Sequence, residues 1–319
     1  MKTLTRNEAA RFLAEHDHYL LLTHQRPDGD TLGSAAALCR GLRSLGKTAH
    51  ILDNPQITPK YQPYVDGLTI AQCPENAVIV AVDMADTGLF PLSGQELTEQ
   101  VSLCIDHHGS NSGYAAHTLV DPDCAACGEL IFSLLHLLQV PLDRAMAEAL
   151  YVALSTDTGC FRYSNVTAST LRIAAQLKDC GAELYPINKA LFETRRFARL
   201  KLEARLTETI RFACGGKIGI CSIPWKLRGE LGLNEDDLDD IAGFARDIEG
   251  VEIGVMLKEQ ETGGCKLSVR SSPRYDACAI CSVLGGGGHR AAAGATVQRS
   301  LTESQDAVLQ AILQVYPNL

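Results

Sequence analysis

Unbroken apolar runs alternate along the chain with stretches whose apolar residues recur at helical spacing. HYLLLTH (18–24), TAHIL (48–52), AVIVAVD (77–83) and VSLCID (101–106) lack polar alternation, the pattern of strands covered on both faces of a parallel sheet. TLGSAAALCRGLRSLGK, GELIFSLLHLLQV and RAMAEALYVALSTDT keep small and apolar residues on one broad face and read as helices. Gly46 stands where the first of these helices would stop. Strands alternating with helices predict a doubly wound, mainly parallel α/β domain.

From about residue 167 the texture changes. TASTLRIAAQLKDC, PINKALFE and the charge-laced RFARLKLEARLTETIRF are helical in pattern, the last long enough to join two lobes. Strand-like KIGICSI, VEIGVMLKEQ and CKLSVRS follow, interrupted by the acidic NEDDLDDIAGFARDI, which reads as helix. A helix YDACAICSVL, a glycine run and a final strand–helix pair complete a smaller α/β domain. The expected organisation is a larger domain over 1–185, a helical linker over 186–212 and a second domain over 213–319.

Composition fits this division: 319 residues, 46% apolar, suit two domains. No stretch reaches the roughly 18 apolar residues of a membrane span, and the charged N-terminus is unlike a secretory signal, so the expected location is the cytoplasm. With 29 Lys+Arg against 38 Asp+Glu the net charge is −9, which argues against tracking long nucleic acids. A nucleic-acid substrate should be short, or held by a local basic pocket. The twelve Cys are scattered. The C-x-x-C pairs Cys124/Cys127 and Cys278/Cys281 sit in helix-like segments among alanines and read as small buried hydrophobes rather than zinc or redox pairs.

Chemistry concentrates after the predicted strands, the edge where open α/β sheets form their sites. THQRPDGDTLGS brings His24, Asp28 and Asp30; VDMAD brings Asp83; IDHH brings Asp106, His107 and His108; TDTG brings Asp157. So many carboxylates in one cleft repel each other unless positive charge is supplied. Two divalent ions about 3.5–4 Å apart, sharing a bridging carboxylate, would supply it. Hard divalent ions favour the carboxylate oxygens, and imidazole adds a preference for transition metals such as Mn²⁺ or Zn²⁺, with Mg²⁺ as a further candidate. Two members have plain structural alternatives: Asp30 as a helix N-cap and Asp157 as a turn residue before Gly159. His50, His117 and His136 have no such neighbours and read as ordinary.

THQRPDGDTLGS, VDMAD, IDHH and STDTG, in this order, resemble the four motifs of the DHH phosphoesterase superfamily. SVRSSPRYDACAICSVLGGGGHRAAAG resembles the DHH-associated C-terminal domain with its GGGGH signature. Within the superfamily, a compact two-domain chain with GGGGH is most similar to the bifunctional oligoribonuclease (nanoRNase) and pAp phosphatase proteins. The resemblance implies a two-metal phosphodiesterase that degrades short RNA or DNA oligonucleotides as an exonuclease and splits pAp into AMP and phosphate. It implies that His24 and Asp28 bind one ion, that Asp30, His107 and Asp157 bind the other, and that Asp83 bridges them. Asp106 would accept a hydrogen bond orienting a ligand histidine, and His108 would stand beside the scissile phosphate. Asp83, Asp106, His107 and His108 make up the implied catalytic set. Rival expectations are a pyrophosphatase-like hydrolase, a phosphodiesterase for linear pApA or pGpG, and a non-catalytic nucleotide sensor. The assembly expected from frequency alone is a homodimer.

The run GGGGHRAAAG reads as a phosphate grip. Consecutive glycines are tolerated where backbone needs unusual dihedrals or close approach, and successive N–H groups can form an anion nest. Gly286, Gly287, Gly288, His289 and Arg290, with Arg270 at the end of the preceding strand, are the expected substrate contacts. A grip at fixed distance from the metals would favour short substrates, and closure between the lobes would exclude water.

Overall fold

The apolar runs of the first half pair side by side in the computed structural model, which describes residues 2–238 and 241–319. The chain divides at Thr194/Arg195 into two compact units. The first holds, among the described residues, strands β1 (Lys2–Thr3), β2 (Tyr19–Leu22), β3 (Ala49–Leu52), β4 (Thr69–Ile70), β5 (Val78–Val82), β6 (Val101–Asp106) and β7 (His117–Val120). They lie in the order β1-β7-β6-β5-β2-β3-β4, and each adjacent pair is parallel. Among the described residues the α-helices of this unit are α1 (Arg6–Glu15), α2 (Gly29–Ser44), α3 (Gln62–Val65), α4 (Cys127–Leu137), α5 (Arg144–Asp157), α6 (Ala168–Asp179) and α7 (Leu184–Asn188).

The winding reverses between β2 and β5. From β2 the chain steps outward to β3 and β4; β5 then pairs with the other edge of β2, and β6 and β7 continue away from it. Such a switch point leaves a crevice at the carboxyl ends of the two strands. Both faces of the sheet are dry. Tyr19 and Leu21 of β2 pack with α1, α2, α4 and α5, while Leu20 and Leu22 pack on the other side with Met84, Phe90 and Leu97. That second side is covered by 3₁₀ turns over Thr87–Leu89 and Leu92–Gln100.

Helix α2 lies unusually close to α5. A Cβ on Gly33 would fall 2.2 Å from the Ala149 carbonyl oxygen, so only glycine permits this crossing. The crossing brings the N-terminus of α2 beside the C-terminal end of α5. Gly46, at φ +78°, stops α2 one residue after its C-cap Leu45.

The second unit contains α8 (Phe197–Thr209), β8 (Arg211–Ala213), β9 (Ile218–Ile223), α9 (Trp225–Leu231), β10 (Ile253–Glu259), β11 (Cys265–Ser271), α10 (Ala277–Val283), β12 (Gly287–Gly288), β13 (Ala292–Val297) and α11 (Leu301–Val315). The strand order is β12-β13-β11-β10-β9-β8, with β9 and β10 parallel and the other pairs antiparallel. Helices α10 and α11 cover one face. Helix α8, placed in a linker by the sequence, instead belongs to this unit: Leu202 and Leu206 are fully buried against Cys221, Ile223 and Met256. The acidic stretch read as a helix forms 3₁₀ turns at Asp236–Leu238 and Ile241–Gly243, while Asp239 and Asp240 lie outside the described residues. Its side chains compete with helical bonding: Asn234 accepts from the Asp237 amide, and Asp237 accepts from the Asn234 amide and from Arg196.

Candidate metal centre

Each acidic and imidazole residue after a predicted strand reaches the switch point by its own local logic. His24 follows β2, Asp83 follows β5, and Asp106 ends β6 with His107 and His108 directly after it. Asp28 is the N-cap of α2, accepting from the amides of Asp30 (3.0 Å) and Thr31 (3.2 Å). The cap alternative therefore falls to Asp28, and Asp30 lies inside the first turn, fully buried. Asp30 accepts from the Cys127 amide at 2.6 Å, the Gly128 amide at 3.0 Å and the Ser34 hydroxyl at 3.0 Å. Asp157 is the last residue of α5 rather than a turn residue.

Three overlapping groups of potential ligands result: His24, Asp28 and Asp83; Asp30, His107 and Asp157; and Asp83, His107 and His108. His24 Nε2 stands 3.6 Å from Asp28 Oδ1 and 3.9 Å from Asp83 Oδ2. His107 Nε2 stands 3.4 Å from Asp157 Oδ2, 3.7 Å from Asp30 Oδ2 and 3.5 Å from Asp83 Oδ1. Asp83 thus faces one group with each carboxylate oxygen. A carbonyl oxygen fixes the tautomer of both rings, since it can only accept. His24 Nδ1 donates to Gln25 O at 2.8 Å and His107 Nδ1 to Cys124 O at 3.1 Å, so in the neutral rings the Nε2 lone pairs face the carboxylates.

The electrostatics call for cations. Among the described residues, the ion-pair partners of these carboxylates are histidines. Burial, then repulsion from Asp157 and Asp28, pushes Asp30 well above the ordinary carboxylate range. Burial, then repulsion from Asp30, Asp28 and Asp157, does the same to Asp83. Burial raises Asp157 to about 6. Its place at the C-terminal end of α5 opposes a negative charge as well. Asp83 Oδ1 is buried without a hydrogen-bond donor, and Asp83 takes the left-handed backbone (φ +58°) that a non-glycine residue resists. An orphaned buried oxygen and crowded carboxylates are what divalent ions would relieve, so the residues present fit such ions.

Asp106 accepts a hydrogen bond from a histidine of the Asp83, His107 and His108 group. It is fully buried and accepts from His108 Nδ1 (2.7 Å), the His108 amide (3.2 Å) and Asn111 Nδ2 (2.6 Å). The histidine it orients is therefore His108, while His24 and His107 are oriented by backbone carbonyls. The tight turn after β6 decides this, because it folds His108 back over the carboxylate. The Asp106 hydrogen bond raises the His108 pKa, and His108 Nδ1 lies 3.6 Å from Asp83 Oδ1. Sequence reasoning missed Asn111, the Cys124 carbonyl and the Cys127 and Gly128 amides.

The second candidate region lies on the sheet of the other unit. Helices α8 and α9 cover one face over β9 and β10. Over β11 and β13 the same face is open, a depression of about 400 Å³ lined by Lys266, Ser268, Arg270, Gly287, Gly288 and Gly294 among others. Strand alternation sends Leu267 and Val269 to the core and Lys266, Ser268 and Arg270 to this face. Their partners across β13 are small, Ser268 opposite Gly294 and Arg270 opposite Ala292.

The glycines do not form the expected nest. Gly285 (φ +76°) ends α10: its amide bonds Ser282 O and the Gly286 amide bonds Cys281 O, the two bonds of a Schellman cap. Gly287 and Gly288 then pair with β13, and the His289 amide donates to Ala292 O at 2.8 Å. Internal partners thus take the amides of Gly285, Gly286 and His289. A Cβ on Gly286 would fall 2.2 Å from Gly294 O, so close approach explains that glycine. Arg290 donates to the Pro273 carbonyl at 3.3 Å. Gly286, His289 and Arg290 are not among the residues lining the depression.

Residues 18–154 match the DHH family, N-terminal domain, and residues 215–317 match the DHHA1 domain. A bifunctional oligoribonuclease and PAP phosphatase from Thermus thermophilus is 34% identical over 92% of this chain and 88% of its own length. The chain belongs to the DHH family. It is a DHH phosphoesterase with a DHHA1 domain, in a family whose members depend on metal. In fold it is similar to an exopolyphosphatase-related protein from Bacteroides fragilis (TM-score 0.87, 21% identity, 98% of this chain and 96% of that one). RecJ from Thermus thermophilus, solved in complex with Mn²⁺, shares the fold at a TM-score of 0.55 and 18% identity, covering 98% of this chain and 55% of RecJ. Among the described residues, no helix of this DHH protein is long and apolar enough to cross a membrane.

Proposed function

We propose that the chain is a two-metal phosphodiesterase and phosphatase that shortens di- to short oligonucleotides to nucleoside 5′-monophosphates and converts pAp to AMP and phosphate. The observation that carries the chemistry is Asp83, whose two oxygens face separate ligand groups through His24 (3.9 Å) and His107 (3.5 Å). His24, Asp28 and Asp83 would hold one ion, and Asp30, His107, Asp157 and Asp83 would hold the other. The mixed imidazole and carboxylate set, and the Mn²⁺ of RecJ, favour Mn²⁺ over Mg²⁺. Such ions supply activation of water and neutralisation of charge on the phosphoryl oxygens.

The chain's own residues do the rest. The Gln25 and Cys124 carbonyls keep the two imidazoles turned inward. Asp106 steadies His108 beside Asp83, from where His108 donates a proton to the departing ribose oxygen. Arg270, with Gly287 and Gly288 at the open sheet face, anchors the far phosphate. All twelve cysteines are free thiols, which suits the cytoplasm. The substrate class rests on the relative from Thermus thermophilus and is tested by Mn²⁺-supplemented hydrolysis of RNAs of 2 to 24 nucleotides alongside pAp and pyrophosphate. Rates should fall steeply as the chain lengthens, with pAp also cleaved. Equal rates across lengths, or a preference for pyrophosphate over pAp, would overturn the reading.

A further inference from the structure

Directly after Asp157 the backbone does something uncommon. Gly159, Cys160 and Phe161 are successively left-handed, at φ of 55°, 57° and 62°. Glycine accepts this freely, but a cysteine and a phenylalanine do so against steric resistance. The turn is nevertheless fixed at every point. The amides of Arg162 and Tyr163 donate to Thr158 O at 2.9 and 3.0 Å. The Phe161 ring packs 5.7 Å from Tyr151. Asn165 Nδ2 closes the loop on Asp157 O (3.1 Å) and Ala125 O (3.0 Å). The segment therefore leaves and returns at the same proposed metal ligand.

What the turn holds out is Tyr163 and Arg162. The Tyr163 ring lies on the bare face of Gly159, where a Cβ would fall 2.3 Å from it, and it remains 57% exposed. A ring seated so firmly yet left in solvent contributes little to the core. Arg162 is exposed beside it, its Nε held by Gly159 O at 2.5 Å. Among the described residues no carboxylate forms an ion pair with it. Strained backbone gathers at ligand clamps and switch regions. A fixed aromatic face takes a nucleobase of any sequence, and a guanidinium takes a phosphate.

We propose that Tyr163 and Arg162 form a nucleotide subsite on the first unit, with a base stacked on Tyr163 and a phosphate paired with Arg162. The proposal deepens the phosphoesterase reading and rests on it, naming what recognises the nucleoside beside the metal centre. Its test is independent of turnover: calorimetric binding of AMP and of ribose 5-phosphate to the full chain in Mn²⁺. Tyr163→Ala should weaken AMP about tenfold, the order of one base stack, and leave ribose 5-phosphate within twofold. Tyr163→Phe should bind AMP like the parent, and Arg162→Ala should weaken both ligands. Tyr163→Leu keeps Gly159 covered while removing the π face, so its loss of AMP would exclude unfolding as the cause. An unchanged AMP affinity in Tyr163→Ala, or equal weakening of both ligands, would overturn the subsite. Failure of the parent chain to cleave any dinucleotide, with this AMP contrast intact, would instead overturn the activity.

Discussion

The two candidate regions are built by opposite means. The candidate metal centre is a collection of carboxylates and imidazoles of fixed chemical type, of which His24, His107, Asp28 and Asp30 are held by backbone partners while Asp83 keeps one oxygen unpaired. The open face of the second unit is shaped by what is missing: Gly294 and Ala292 stand opposite Ser268 and Arg270, and the room they leave is the depression. Changes at the first should therefore act on the chemical step, and changes at the second on affinity. The contrast can be broken at four points.

The largest effect is expected at Asp83. Asp83→Asn keeps a residue that tolerates left-handed backbone but removes the charge shared by both ligand groups. Turnover should fall more than about 10³-fold, the scale of several kcal/mol of lost charge stabilisation. The metal-free melting temperature should hold or rise, because a buried, unpaired carboxylate is gone. Activity within tenfold of the parent would remove the bridging role. Next comes Arg270→Ala, which should raise KM for dinucleotides about tenfold or more, as loss of a charge-assisted hydrogen bond does, with kcat within threefold. A fall in kcat with unchanged KM would erase the division between the regions.

A smaller effect, of a few degrees, concerns pH. Burial raises Asp157 from 3.8 to about 6, and burial with mutual repulsion raises Asp30 and Asp83 well above the ordinary carboxylate range. The metal-free folded state therefore keeps protons that the unfolded chain loses. These groups' contribution to its stability is full below about pH 4 and declines as pH rises towards 6. Ions bound at the carboxylates displace those protons, so the gain in melting temperature on adding Mn²⁺ should grow from pH 4 to 6. A constant gain over that window would show that the crowded carboxylates are not the ion's ligands. The smallest change is expected for Arg290→Ala: its guanidinium bonds the Pro273 carbonyl, so KM should stay within twofold. A tenfold rise would return Arg290 to the grip.

The same contrast explains what could be read in the letters alone. Parallel strands buried on both faces are written as YLLL and VIVAV, and both form. His24, Asp83 and His107 stood out because carboxylate and imidazole at strand ends have few structural uses, and Asp157 stood out in TDTG at the end of a helix. Backbone groups have no letter, so the Cys124 carbonyl and the Cys127 and Gly128 amides were invisible. Helix α1 did leave a trace, the Thr5/Glu8 capping box, but β1 and β7 are too short to signal a pairing across 115 residues between Lys2 and His117. Helix α8 looked like a connector because it is charge-laced, and its seam of Leu202 and Leu206 is narrow. In sequence the glycine run reads as an anion nest, whereas its geometry is that of a helix stop followed by a strand.

The helix crossing at Gly33 carries a consequence for biosynthesis. His24 and Asp28 emerge early from the ribosome, yet the last carboxylate of the centre arrives on α5, whose approach to α2 waits for Ala149. Until then the nascent chain displays an incomplete chelator, and the centre matures in a single late event when α5 docks.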